Sequence, residues 1–154
     1  MIRDKLVSGD VLRVAQRRGL APFPQRARIE DFLPTSREKD ETGKNDGHVL
    51  ISVWDATTEI SQILSFRGIH NSDNPMFTLA VEEVIAIKVG DRARLYVARD
   101  PLPEPECYKP GADGHCGIGD LARRKGEPRA VIDDICSRLA DVARIRLHIS
   151  GSSS

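Results

Sequence analysis

The stretch HVLISVWD, residues 48–55, is the clearest strand in the sequence and decides the fold. Its apolar side chains alternate between the two faces that an extended chain presents. One face carries Val49, Ile51 and Val53, and the other carries Leu50 and Trp54. A strand that is apolar on both faces is typical of a sheet that is covered on both sides. The sequence therefore predicts a central strand buried between two layers.

Two segments have the helical periodicity needed to cover this strand. One is the segment 57–66, and the other is the segment 128–143, which begins at Pro128 because proline is favoured at the first helical position. Their apolar side chains recur at steps of three and four residues, which places them along one face of each helix. These stripes are Ile60, Ile63 and Leu64 in the first helix, and Ile132, Ile135, Leu139 and Val142 in the second.

The two ends of the chain and the segment before the last helix supply smaller predicted elements. A first helix is predicted from Ser8 or Gly9 to Arg18, because its apolar residues share one helical face. A short strand is predicted in HCGI, residues 115–118, and an edge strand in the alternating IRLHI, residues 145–149.

The segment MFTLAVEEVIAIKVGDRARLYV fits three different predictions. The one we favour is a strand at 77–81, a helix at 82–88 and a strand at 93–98. The second is a helix with Ala80, Val84 and Ile87 along one face, followed by a strand. The third is a hairpin about Gly90-Asp91 that pairs 84–89 with 92–97.

Together these elements predict an α/β or α+β fold, a small mixed sheet of four to five strands packed with three to four helices. The length of 154 residues fits a single domain, which we predict to span 1–149. Within it, 35–47 is predicted to be an exposed loop because it has no apolar residue. Thr35-x-x-Glu38 matches the pattern of a capping box, but no apolar run follows it, so we predict no cap there. Residues 150–154 are predicted to form a flexible serine-rich tail.

The composition argues against several classes of protein. No stretch approaches the about 20 apolar residues of a membrane-spanning helix, and the first residues lack the apolar run of a signal peptide. The three cysteines are odd in number and widely spaced, which is typical of a reducing compartment and not of a disulfide framework. The net charge is zero, whereas dedicated nucleic-acid binders usually carry a basic surplus. We predict a cytoplasmic protein without membrane contact.

The stretch KPGADGHCGIGDL, residues 109–121, places glycines on both sides of His115 and Cys116. Residues 117–122 match the dinucleotide-binding pattern G-x-G-x-x-A, but the following charged turn interrupts the helix that this pattern requires. Cys107, His115 and Cys116 are zinc-ligand types, but neighbours on a strand point to opposite faces, so we predict no metal site. We favour a turn and a strand, with Cys116 in the core and His115 exposed or bonded to a carbonyl.

A catalytic site in the same stretch is the competing hypothesis. An imidazole beside a carboxylate can act as a general base. Here His115 would act with Asp113 or with Asp55, which ends the predicted central strand.

These observations favour a small cytoplasmic accessory or protein-interaction domain, without a cofactor and without catalysis of its own. Its predicted partner is an unidentified protein. The predicted partner surfaces are Arg13, Arg17 and Arg18 on the first helix and the proline-rich segment 100–110. The alternative is a small hydrolase or transferase that uses His115 as the general base. The third hypothesis is a weak nucleic-acid-binding module that uses the basic first helix, although few aromatic residues are present to stack on bases.

Overall fold

The computed structural model describes residues 6–15, 26–35, 38, 49–66, 74–90, 92–121 and 126–146. The strands are β1 Asp10–Val14, β2 Leu50–Asp55, β3 Met76–Ala80, β4 Lys88–Val89, β5 Arg92–Ala93, β6 Tyr96–Arg99, β7 His115–Gly119 and β8 Arg144–Arg146. The α-helices are α1 Ile60–Leu64, α2 Val81–Ile85 and α3 Arg129–Val142. Short 3-10 turns are formed by Ile29–Asp31, Glu106–Tyr108 and Ala112–Gly114.

Six of the strands form one open sheet in the order β6-β7-β2-β1-β3-β8, and β4 and β5 form a separate hairpin. Every neighbouring pair in the six-stranded sheet is antiparallel, so the predicted mixed sheet is wrong. β2 and β3 run in the same direction, but β1 lies between them. The fold is therefore α+β, and its sheet has six strands instead of four or five because β1 was predicted to be a helix.

The prediction of a first helix is wrong, because Asp10–Val14 is strand β1. Val11 and Ala15 pack on one face of the sheet, and Leu12 and Val14 pack on the other. A central strand that is apolar on both faces gives a continuous apolar run, and such a run also fits the spacing of a helical stripe. Residues 16–18 of the predicted helix lie outside the described residues.

The predicted central strand is confirmed, since β2 lies third in the sheet between β7 and β1. One side of the sheet, here called the α3 face, is covered by α3, and the other side, called the α1 face, is covered by α1. The α3 face buries Val49, Ile51, Val53, Ile132, Ile135 and Leu139. The α1 face buries Trp54, Ile63 and Phe66. No helix in the described parts of the chain has the length and apolar character needed to cross a bilayer.

The segment 77–97 combines two of the three predictions made for it, strand-helix-strand and hairpin. β3, α2 and β6 follow the favoured order of strand, helix and strand. Between α2 and β6, β4 pairs with β5 in a small hairpin that includes the predicted turn at Gly90. The last predicted strand, 145–149, is described only at residues 145 and 146, which belong to β8 and pair with β3 at the border of the sheet. Residues 147–149 lie outside the described residues.

The predicted exposed loop is described only at residues 35 and 38, and there the prediction is wrong for Glu38, which is 9% exposed. The capping box that we discounted is formed. The backbone N–H of Thr35 donates to Glu38 Oε1 at 2.8 Å, and the backbone N–H of Glu38 donates to Thr35 Oγ1 at 3.2 Å. We discounted the pattern because no apolar run follows it. Glu38 is instead fixed by polar contacts with Arg13 and Ser52 in the sheet. The serine-rich tail lies outside the described residues.

Candidate functional site

His115 begins strand β7 and lies on the α1 face, where its ring packs edge-on against Trp54 with the centroids 4.8 Å apart. The residue is 5% exposed. Its Nδ1 lies 2.7 Å from the backbone carbonyl oxygen of Asp100 and 3.7 Å from the carboxylate of the same residue. Because a carbonyl oxygen only accepts, Nδ1 carries the proton, and Nε2 is the basic nitrogen of the neutral ring. His115 is thus bonded to a carbonyl, one of the two environments predicted for it.

The two carboxylates predicted to act with His115 lie elsewhere. Asp55 follows Trp54 along β2, so its side chain points to the opposite face of the sheet. Asp113 lies in the turn before β7 with its side chain exposed, and its backbone carbonyl accepts a hydrogen bond from Arg99 at 3.1 Å. The structure therefore does not bring His115, Asp113 and Asp55 together. The carboxylate beside the imidazole is that of Asp100.

Cys116 is fully buried on the α3 face, on the other side of β7 from His115. Desolvation raises the pKa of its thiol, and the guanidinium of Arg99, 3.9 Å from the sulfur, opposes this increase only in part. A buried thiol with a raised pKa stays protonated at neutral pH and is a poor nucleophile. The prediction that Cys116 belongs to the core is confirmed.

The glycines of β7 make room for side chains of the neighbouring strands. A Cβ placed on Gly119 would overlap the ring of Tyr96, and a Cβ placed on Gly117 would lie 3.0 Å from the Leu50 side chain. Both glycines lie inside a strand, so they do not form the turn between a strand and a helix that a dinucleotide site requires.

The cysteines and acidic residues do not assemble into a metal site in the part of the chain that the structure describes. No three His, Cys, Asp or Glu side chains in that part lie close enough together to hold an ion. Cys107, Cys116 and Cys136 are free thiols.

An open pocket of about 590 Å³, here called the sheet-end pocket, lies where β2 and β6 end and β1 begins. In an antiparallel pair, one strand ends at the border of the sheet where its neighbour begins, so residues that are far apart in sequence meet there. β1 brings Asp10, β2 brings Asp55 and β6 brings Arg99. The lining residues are Leu6, Val7, Ser8, Gly9, Asp10, Asp55, Ala56, Thr57 and Arg99.

The charged groups of the sheet-end pocket form one ion pair and leave one carboxylate over. Arg99 Nη2 donates to Asp55 Oδ2 at 2.8 Å, while the backbone N–H and the hydroxyl of Thr57 donate to Asp55 Oδ1 at 3.0 and 2.9 Å. These hydrogen bonds hold the pKa of Asp55 below its usual value despite partial burial, and the bond from the Thr57 backbone contributes most. Asp10 is exposed, and its carboxylate has no partner among the described residues. Among the lining residues that the structure describes, two carboxylates thus face one guanidinium.

The predicted basic face is wrong at Arg13, which is 2% exposed and forms an ion pair with Glu38 at 2.8 Å. Its side chain is covered because β1 is a central strand with both faces packed, not an amphipathic helix at the surface. Arg17 and Arg18 lie outside the described residues. Among the described residues, the structure thus offers no basic first helix to a protein or to nucleic acid.

Sequence reasoning missed Asp10 and Arg99 as site residues. Asp10 lies in the segment that was predicted to form the first helix, and it was given no binding role. Arg99 received no role, although it ends a strand directly before the Asp100-Pro101 dipeptide. A charged residue at a strand end beside a proline-rich loop is the signal that could have identified it, because binding groups concentrate on loops held by a rigid sheet.

Comparison with protein-family models, with curated proteins and with solved structures found no match for this chain.

Proposed function

We propose that the chain is a cytoplasmic protein-interaction domain without catalysis of its own, and that its sheet-end pocket receives a cationic side chain of a partner protein. The observation that carries this proposal is the carboxylate of Asp10, which has no partner in the part of the chain that the structure describes, beside the ion pair of Asp55 and Arg99. The three free cysteines fit a reducing compartment.

The groups around the pocket are in states suited to binding rather than to proton transfer. A general acid or base works best when its pKa lies near the working pH. The pKa of Asp55 is instead lowered, so this carboxylate stays ionised at neutral pH. The pKa of the Cys116 thiol is raised, so the thiol stays neutral. Fixed charges of this kind select a ligand by its own charge.

The lining of the pocket suits the long side chain of arginine or lysine. Such side chains place their methylene groups on apolar surface and their charged end on polar groups. Leu6, which is 61% exposed, offers apolar surface at the pocket, while Asp10 offers an anionic partner. The positive charge of Arg99 is balanced by Asp55, so it does not cancel the attraction of Asp10 for a cation.

We expect N-acetyl-arginine amide and N-acetyl-lysine amide to bind the pocket, and N-acetyl-glutamate amide not to bind it. Binding should shift the backbone amide signals of Gly9, Asp10 and Thr57 in an NMR titration. Asp10→Asn should weaken the affinity about fivefold, because two unit charges about 4 Å apart in water interact by about 1 kcal/mol.

The matched control for this titration is Asp141→Asn, which removes an exposed carboxylate from α3 that does not line the pocket. The control should leave the affinity unchanged. Equal weakening by the two variants, or tighter binding of the glutamate amide, would show that the pocket does not select cations.

A small hydrolase or transferase with His115 as its general base is the second candidate, and one observation favours it. The Asp100 carboxylate lies 3.7 Å from the ring nitrogen that bonds the Asp100 carbonyl. A carboxylate on that side of an imidazole orients the ring and stabilises its protonated form, as in catalytic acid–base pairs. In this hypothesis Asp100 is the carboxylate that acts with His115, in place of the predicted Asp113 or Asp55.

We expect nitrogen-15 NMR to find neutral His115 as the Nδ1–H tautomer, because Nδ1 faces an oxygen that can only accept. The second candidate further requires turnover of an ester substrate, such as a series of p-nitrophenyl esters, that His115→Gln abolishes. Asp100→Asn should reduce this turnover, and Asp113→Asn should not. Turnover that stays at the level of the His115→Gln variant would eliminate the second candidate.

A further inference from the structure

The ladder between β1 and β2 is short. It contains two residue pairs, Val11↔Asp55 and Leu12↔Trp54, whereas β1 pairs with β3, and β2 with β7, over five residues each. Continuing the register by two residues would place Val14 opposite Ser52. The sheet thus has two halves, β6-β7-β2 and β1-β3-β8. The ladder between them is paired at Val11 and Leu12 and is open at the other end, here called the split, where Val14 and Ser52 would meet.

Two charged side chains occupy the split. The backbone N–H of Ser52 donates to Glu38 Oε2 at 2.5 Å, and the backbone carbonyl of Ser52 accepts from Arg13 Nη1 at 2.9 Å. In a continued antiparallel ladder both of these groups would bond to Val14. The same Arg13 Nη1 also donates to Glu38 Oε2 at 2.8 Å. The ion pair therefore replaces one step of the ladder.

Each member of the ion pair is also held by backbone from outside the sheet. Arg13 Nε donates to the carbonyl oxygen of Asp31 at 2.9 Å, and Glu38 Oε1 accepts from the backbone N–H of Thr35 at 2.8 Å. Arg13 belongs to β1, so it cannot leave the split without moving a central strand. Glu38 lies outside all the strands of the sheet, so it is the member that can withdraw.

We propose that Glu38 is a latch between the two halves of the sheet. While its carboxylate occupies the split the halves are joined, and its withdrawal lets them part at the Ser52 end. The sheet-end pocket lies at the other end of the same ladder, with Asp10 on one half and Asp55 and Arg99 on the other. The backbone N–H of Ala56, which lines the pocket, donates to the Asp10 carbonyl at 3.1 Å, so the halves stay joined there when they part at the Ser52 end. The latch itself does not depend on what the pocket binds.

The first test uses hydrogen exchange of the unmodified protein, followed residue by residue by NMR. The N–H of Ser52 is bonded to a side chain, whereas alternation along β2 turns the N–H of Val53 toward β7. We expect Ser52 to exchange at least about tenfold faster than Val53, through a local opening that depends little on denaturant. Equal rates with equal denaturant dependence would mean that the halves part only on global unfolding, which overturns the proposal.

The second test compares Glu38→Ala and Glu38→Gln with the exposed control Glu82→Gln on α2. Glu38→Ala should speed exchange at Ser52 by at least about tenfold relative to Val53, since a charged acceptor is lost. Glu38→Gln keeps an acceptor without the charge and should have a smaller effect, and Glu82→Gln should have none. An unchanged ratio of the Ser52 and Val53 rates in Glu38→Gln, or in Glu38→Ala where it folds, would contradict the latch.

Discussion

Replacing Glu38 with alanine is expected to lower the free energy of unfolding by about 3–5 kcal/mol, because the substitution leaves the buried guanidinium of Arg13 without its counter-ion. It also leaves the backbone N–H of Ser52 without its acceptor. Urea denaturation at pH 7 measures the change. Glu82→Ala removes an exposed carboxylate from α2 and should change the same quantity by no more than about 0.5 kcal/mol.

A double-mutant cycle tests whether the loss comes from the pair. Arg13→Met alone leaves the Glu38 carboxylate buried without a counter-ion, so its cost should be similar to that of Glu38→Ala. The double variant should lose clearly less free energy of unfolding than the sum of the two single variants. Either substitution alone already breaks the ion pair, so the second has no pair left to break. Strictly additive effects would mean that the two side chains do not stabilise each other.

The contribution of Glu38 should also depend on pH. Burial raises the pKa of its carboxyl, but the charge of Arg13 and the hydrogen bonds from Arg13, Thr35 and Ser52 together hold the pKa below its ordinary value of 4.5. A carboxyl with a lowered pKa in the folded state contributes stability above its unfolded pKa, and this is lost as the pH falls through the folded pKa. The stability difference between the unmodified protein and Glu38→Gln should therefore shrink below about pH 4.5.

Truncating a buried side chain of the core is expected to lower the free energy of unfolding about as much as Glu38→Ala does. Ile51 on β2 and Leu139 on α3 are both fully buried on the α3 face. Replacing either residue with alanine should lower the free energy of unfolding by about 2–5 kcal/mol, through lost burial and a residual cavity. Denaturant melts measure the loss, and Asp141→Ala, at an exposed position on α3, should cost no more than about 0.5 kcal/mol. A cost at Asp141 equal to that at Leu139 would contradict the packing of α3 on the sheet.

The sequence predicted the layers of the fold because their signals are local. The alternation of β2 and the stripes of α1 and α3 each lie within one element, and the two stripes cover opposite faces of the sheet, as two covers for one strand require. β1 was mistaken for a helix because a strand packed on both faces has no polar face to reveal its period. Whether such a segment is a helix or a strand is decided by its neighbours, which lie far away along the chain.

The candidate site was less predictable because its contacts are not local. Arg13 and Glu38 are 25 positions apart, and Arg99 and Asp55 are 44 positions apart. Side chains of these types are common at any surface, so nothing in their immediate sequence marks them as partners. His115 was predicted to act with Asp113 or Asp55, but the carboxylate beside its ring belongs to Asp100, which lies 15 positions earlier in the sequence.

The pairing of Gly119 with Tyr96 across β7 and β6 has a consequence for how this chain can diverge. The ring of Tyr96 fills the space that a side chain at position 119 would need. Alanine at position 119 therefore requires the Tyr96 ring to shift or to be replaced by a smaller side chain, which would leave a void that alanine can fill. In an alignment of related chains these two columns should change together. The glycines that resemble a nucleotide-binding pattern would then be conserved with the aromatic residue opposite them, independently of any ligand.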